Sequence, residues 1–145
     1  MRKIDTQEYI GTLRELVLQG KEVRLTISGS SMSPFLIHER DSIVFRKPDR
    51  ALKRGDMVFY QRDDGAFVMH RIRWVKPNGL YIIGDAQTET EGPVRPDQVF
   101  ALITRVNRKG QWINPGDFWW WFFQHIWLNL IPVRRHIMAL FNKLH

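Results

Sequence analysis

A chain of 145 residues with 43% apolar and 26% charged side chains can build one hydrophobic core, which excludes a disordered or collagen-like polymer. The 22 lysines and arginines outnumber the 15 acids, giving a net charge of +7. Cysteine is absent, so disulfides, thiolate zinc sites and thiol nucleophiles are excluded together, and hydroxyl, carboxyl and imidazole groups remain for chemistry.

The first 20 residues read as a helix. Ile10, Leu13, Leu16 and Val17 recur at helical spacing, Asp5 with Glu8 three residues on forms a capping pair, and Gly20 supplies a left-handed stop. Glu8, Arg14 and Glu15 interrupt every apolar run here, so neither a signal-peptide core nor a membrane anchor is expected in this stretch.

From residue 21 the period changes to two. Val23, Leu25 and Ile27 alternate with Arg24 and Thr26, and short strand-like runs follow at 42–45, 57–61, 66–73, 80–83 and 99–106. Turn chemistry separates them: Lys53-Arg54-Gly55-Asp56, Asp63-Asp64-Gly65, Pro77-Asn78-Gly79 and Gly84-Asp85. Strands this short without intervening long helices predict a mainly β, antiparallel domain over 21–112, a coiled sheet or small open barrel.

The remainder, 113–145, differs in composition. Four of the six tryptophans fall between Phe118 and Ile131, in FWWWFFQHIWLNLI, and Pro132 follows. These 14 residues fall short of the roughly 20 that span a bilayer. Aromatic residues beside Arg134, Arg135 and Lys143 instead predict an amphipathic helical segment, opened by Phe118 and closed by Leu144, lying in a lipid interface with its tryptophans at headgroup depth. A Trp-rich face packed on the domain is the competing expectation.

Few residues offer chemistry. Ser28-Gly29-Ser30-Ser31-Met32-Ser33-Pro34 follows the first strand, where a tight turn can present a hydroxyl and a row of backbone amides to one point. His70 lies in a strand-like run, and alternation puts it on the face of Val68 and Ile72, opposite Phe67, Met69 and Arg71. Carboxylates follow at Asp85, Glu89 and Glu91. The other histidines have no zinc-like spacing and no phosphate-binding glycine loop occurs, so no cofactor or metal is expected. The tryptophans cluster with aliphatic residues instead of alternating with basic ones on strands, so no nucleic-acid partner is expected.

Taken in order, Ser-Met-x-Pro, Arg-Gly-Asp before a strand, His-Arg, then Gly-Asp with a following acid and Pro-Val resemble the signal peptidase I and S24/S26 serine peptidase superfamily, over about residues 25–106. Histidine before Arg71 is similar to the endoplasmic-reticulum and archaeal type. The resemblance implies a peptidase-type coiled β-sheet, Ser31 as nucleophile, His70 as base, and Glu91 first or Asp85 second as the orienting acid, with Glu89 a further candidate. Ser31 and Ser30 would form the oxyanion hole, because Gly29 stands where many bacterial members carry a serine. The implied substrate is a precursor or signal peptide, bound extended and cut after a small residue, by an enzyme held peripherally on a membrane. An imidazole of ordinary basicity predicts activity rising through pH 6–7. The alternative is a catalytically silent, peptide-binding relative of the same fold.

Overall fold

The structure, a computed structural model, describes residues 6–144. Helix α1 (Thr6–Leu18) buries Ile10, Leu13 and Val17 along one face. Gly20, at φ 90°, ends it as expected, with the Gly20 and Lys21 amides returning to the Val17 and Leu16 carbonyls. The Asp5 half of the anticipated cap lies outside the described residues.

Eight antiparallel strands follow: β1 (Val23–Thr26), β2 (Ser42–Arg46), β3 (Met57–Gln61), β4 (Phe67–Lys76), β5 (Gly79–Ile83), β6 (Glu91–Val94), β7 (Val99–Arg108) and β8 (Gln111–Ile113). They form one sheet in the order β1-β2-β7-β3-β4-β5-β6, with β8 paired to β7. All six expected runs are strands. β6 and β8 were not expected, because Glu-Gly-Pro-Val carries a proline and Gln-Trp-Ile is only three residues long.

β4 is longer than either neighbour. Its first half pairs with β3, from Gln61↔Phe67 to Met57↔Arg71. Its second half pairs with β5, from Arg71↔Ile83 to Lys76↔Gly79. The edge of β4 before Arg71, on the side away from β3, is therefore left uncovered by β5.

Both faces of the sheet are buried at its centre, and β3 shows this residue by residue. Met57 and Phe59 join a core with α1, Phe35, Phe45 and Phe100, whereas Val58 and Tyr60 join one with Ile72, Leu80, Ile82 and Leu102.

Residues 118–144 are helical, as expected, but not straight. They run through α2 (Phe118–Trp121), a wide turn (Phe122–Ile126), tighter turns (Trp127–Val133) and α3 (Arg134–Leu144). Pro132 lacks an amide donor, and Leu130 leaves helical geometry at φ −96°, ψ 17°. Among the described residues no helix is long and apolar enough to cross a membrane. The tryptophans divide: Trp119 and Trp121 are exposed, while Trp120 and Trp127 are buried in the α1 core beside Phe35. Headgroup depth for all of them is thus corrected, because the segment covers one face of the sheet as well as presenting a surface.

Gly55 marks one close approach. Its φ is 94°, and an added Cβ would collide with Gln124 Cγ in the C-terminal segment. Gly65 has nearly the same φ, 93°, with nothing within 4 Å of that position. In urea unfolding, Gly65→Ala should cost about 1 kcal/mol for backbone strain alone and Gly55→Ala about 3 kcal/mol. Equal losses would mean that Gln124 yields freely.

Candidate active site

The serine-rich segment is a loop closed at its base. The Glu39 amide donates to the Ile27 carbonyl and the Ile27 amide to the Asp41 carbonyl, both at 2.8 Å. Buried Met32, Phe35 and Leu36 anchor it from below. The buried Asp41 carboxylate accepts from the Ile37 amide, the Arg40 guanidinium and the Lys109 amide, tying the loop to the β7–β8 hairpin. Gly29 turns at φ 92°, and its amide donates to His38 Nδ1 at 2.7 Å. Ser28 and Ser30 are exposed; Ser31 is half-buried.

The Ser31 backbone meets the Gly84-Asp85-Ala86 turn directly, with the Ala86 amide donating to the Ser31 carbonyl at 2.8 Å. Gly84 is required there, because a Cβ on it would sit 2.6 Å from that carbonyl oxygen. This turn is where the chain leaves β5, just past Ile83 and its partner Arg71. Ser31 therefore stands at the head of the uncovered β4 edge. Beyond it lies a cavity of about 200 Å³, walled by Leu25, Ile27, Phe59, Phe67 and Met69.

His70 faces Val58, Val68 and Ile72, as alternation predicts, and is 5% exposed. Burial pushes its pKa from 6.5 down to about 4, assisted by Arg62 and opposed by Glu91 and Asp85. The imidazole is therefore neutral at pH 7. Its Nδ1 is buried and has no hydrogen-bond partner. Ser31 and His70 make no hydrogen bond with each other.

The three candidate acids are placed differently, and none bonds His70. Both Asp85 oxygens accept from Arg71, at 2.8 Å each, in an ion pair that is 1% and 0% exposed. The second choice for an orienting acid is thus a structural counter-ion. Glu89 is exposed on the loop. Glu91 acts on His70 electrostatically, yet it accepts from Tyr60 Oη at 2.9 Å and from Arg62 at 2.6 Å. Burial works to raise the Glu91 pKa, but these hydrogen bonds outweigh it and hold the carboxylate below its usual value. Tyr60 is pushed up, first by burial and then by Glu91.

Sequence reasoning missed Tyr60, Arg62, Trp127 and Arg134. Alternation along β3 carried a signal for the first two, which share the side of Val58, the cross-strand partner of His70. Trp127 and Arg134 are seven residues apart, the spacing of one helical face. Trp127 Nε1 donates to the Asp85 carbonyl at 2.7 Å. Buried Arg134 donates to the Gly84, Gln87 and Trp127 carbonyls. Burial lowers the Arg134 pKa to about 10, so it stays charged at neutral pH. Among the described residues no group of His, Asp and Glu has the arrangement of a metal site.

The low His70 pKa makes stability depend on pH. Between pH 6.5 and 4 the unfolded chain takes up a proton that the folded chain refuses, so this contribution is full above 6.5 and lost as pH falls to 4. Urea midpoints should show a loss of roughly 3 kcal/mol across this window that is absent in His70→Phe. Parallel pH profiles for the two proteins would show that His70 titrates normally. Set beside known proteins, the chain matches no protein-family model, no curated protein and no solved structure.

Proposed function

We propose that the chain is a serine endopeptidase of the signal peptidase I and S24/S26 kind, cutting an extended precursor or signal peptide after a small residue. The observation that carries this reading is the docking of Ser31 on the Gly84–Ala86 turn, at the head of an open edge of the strand that also bears His70, a buried imidazole with an unpartnered nitrogen on the opposite sheet face from the cavity's Phe59, Phe67 and Met69.

In the proposed reaction the substrate lies along the β4 edge with its small side chains in the apolar cavity. Ser31 Oγ attacks the carbonyl carbon while His70 takes the hydroxyl proton. The Ser31 amide, with Ser30, receives the developing oxyanion. Collapse breaks the C–N bond, the His70 proton passes to the leaving amine, and water repeats the sequence on the acyl-enzyme. Glu91 supports the imidazolium through its charge while it accepts from Tyr60 and Arg62. A base with a pKa near 4 is in its working form throughout neutral pH but draws the proton weakly.

One observation favours the silent, peptide-binding alternative: Glu91 is already engaged by Tyr60 and Arg62. Labelling with a fluorophosphonate separates the two. The wild type should label and Ser31→Ala should not, with peptide cleavage falling at least about a thousandfold. In the free enzyme kcat/KM should reach half its plateau near pH 4. Labelling retained in Ser31→Ala would transfer the role to another hydroxyl.

The C-terminal segment fits peripheral attachment to anionic lipid. Ile137, Leu140 and Leu144 form an exposed stripe on α3 at i, i+3 and i+7, near exposed Arg135 and Lys143, and Phe118, Trp119 and Trp121 are exposed on α2. Leu140→Glu should weaken sedimentation with phosphatidylserine vesicles about tenfold, the loss expected for one buried leucine. Unchanged binding would remove α3 from the lipid contact.

A further inference from the structure

The uncovered edge of β4 is not empty along its whole length. In the antiparallel pairing with β3, the Arg62 amide donates to the Ala66 carbonyl and the Ile72 amide to the Asp56 carbonyl. Those bonds fix the phase of the ladder. Residues 66, 68, 70 and 72 direct their backbone groups toward β3, and Phe67, Met69 and Arg71 direct theirs outward. β5 takes up the outward side at Arg71. Phe67 is satisfied by a side chain from elsewhere in the chain: its amide donates to Gln7 Oε1 at 2.6 Å, and its carbonyl accepts from Gln7 Nε2 at 3.2 Å.

A carboxamide offers one N–H and one C=O with the chemistry of a peptide unit. Gln7 thus pairs with Phe67 as one residue of an added strand would. It is held there by α1, whose Ile10 lines the same cavity and whose Gly11 packs on the Phe67 ring. The cavity is walled at that end by Gln7 and at the other by Ser31.

We propose that Gln7 is a specificity-determining residue that terminates the peptide-binding edge, so that an extended peptide pairs with Met69 and is stopped at Phe67. This rests on the peptide-binding reading of the cavity. Met69 and Phe67 are about 7 Å apart along the strand, two residues of an extended ligand. A peptide with its reacting carbonyl at Ser31 is therefore read over about four residues on its N-terminal side, and longer chains must turn away from the sheet or displace Gln7. The site would favour short recognition sequences of small residues and gain nothing from longer extended ones.

The test uses full-length protein carrying Ser31→Ala, so that peptides bind without being cut. Affinity is measured by fluorescence anisotropy for alanine-rich peptides with four or eight residues before the bond that would be cleaved and a fluorophore at the C-terminus. With Gln7 present, both lengths should bind equally. With Gln7→Ala, or with Gln7→Met, which keeps the apolar stem, the longer peptide should bind roughly tenfold tighter through the freed Phe67 pair. Far-ultraviolet circular dichroism checks that α1 is intact in each variant. Binding of both peptides with the same length dependence in all three proteins would overturn the proposal and leave the peptide-binding reading standing. Failure of either peptide to bind any of them would overturn both.

Discussion

The buried ion pair between Arg71 and Asp85 is the constraint around which the rest of this molecule is arranged. Neither side chain reaches solvent, so each depends on the other, and on further hydrogen bonds, to offset the loss of water. Arg71 Nη1 donates to the Gly55 carbonyl at 3.0 Å, and the guanidinium lies over the Phe35 ring. The Asp85 carbonyl holds Trp127. One pair therefore joins the turn before β3, the end of β5, the serine-bearing loop and the C-terminal segment. Losing either charge alone leaves the other stranded, at a cost of about 3–5 kcal/mol and with no local fallback.

The pair also explains why the C-terminal segment belongs to the catalytic scaffold in the proposed enzyme. Arg134 has no carboxylate of its own to bond and is satisfied by three carbonyls, two of them on the loop that follows β5. That same loop gives the Ala86 amide to Ser31. Position therefore passes from the C-terminal helices through the loop to the serine. In the proposed mechanism the surface that meets lipid and the turn that carries the nucleophile are joined by a continuous set of hydrogen bonds.

Much of the fold was legible because its signals are local. Alternation located six strands and the face of His70, and glycine chemistry located turns at Gly20, Gly55, Gly65 and Gly79, all with positive φ. β6 was not legible, because its Pro93 argues against a strand and its pairing with β5 is a tertiary fact. The site followed the same division. Motif order singled out Ser31 and His70; in the structure Ser31 shares a cavity with Phe67, Val68 and Met69 of β4, while His70 is buried with the Val58 face and makes no hydrogen bond to it. The partner of Glu91 was not readable, since Tyr60 lies 31 residues away and nothing local links them. Asp85 misled for a related reason: a Gly-Asp turn has the same sequence whether its carboxylate serves an imidazole or a guanidinium, and only three-dimensional packing puts Arg71 there first.

An open strand edge has a second consequence, apart from any ligand. Unpaired amides and carbonyls beside an apolar cavity are a template on which another chain can build, and soluble proteins guard such edges. Among the described residues the guard is a neutral side chain from the first turn of α1, covering one residue of the edge, while β5 covers the other end. Anything that frays the first turn of α1 uncovers a sticky strand. The first turn of α1 thus serves colloidal stability as well as shape.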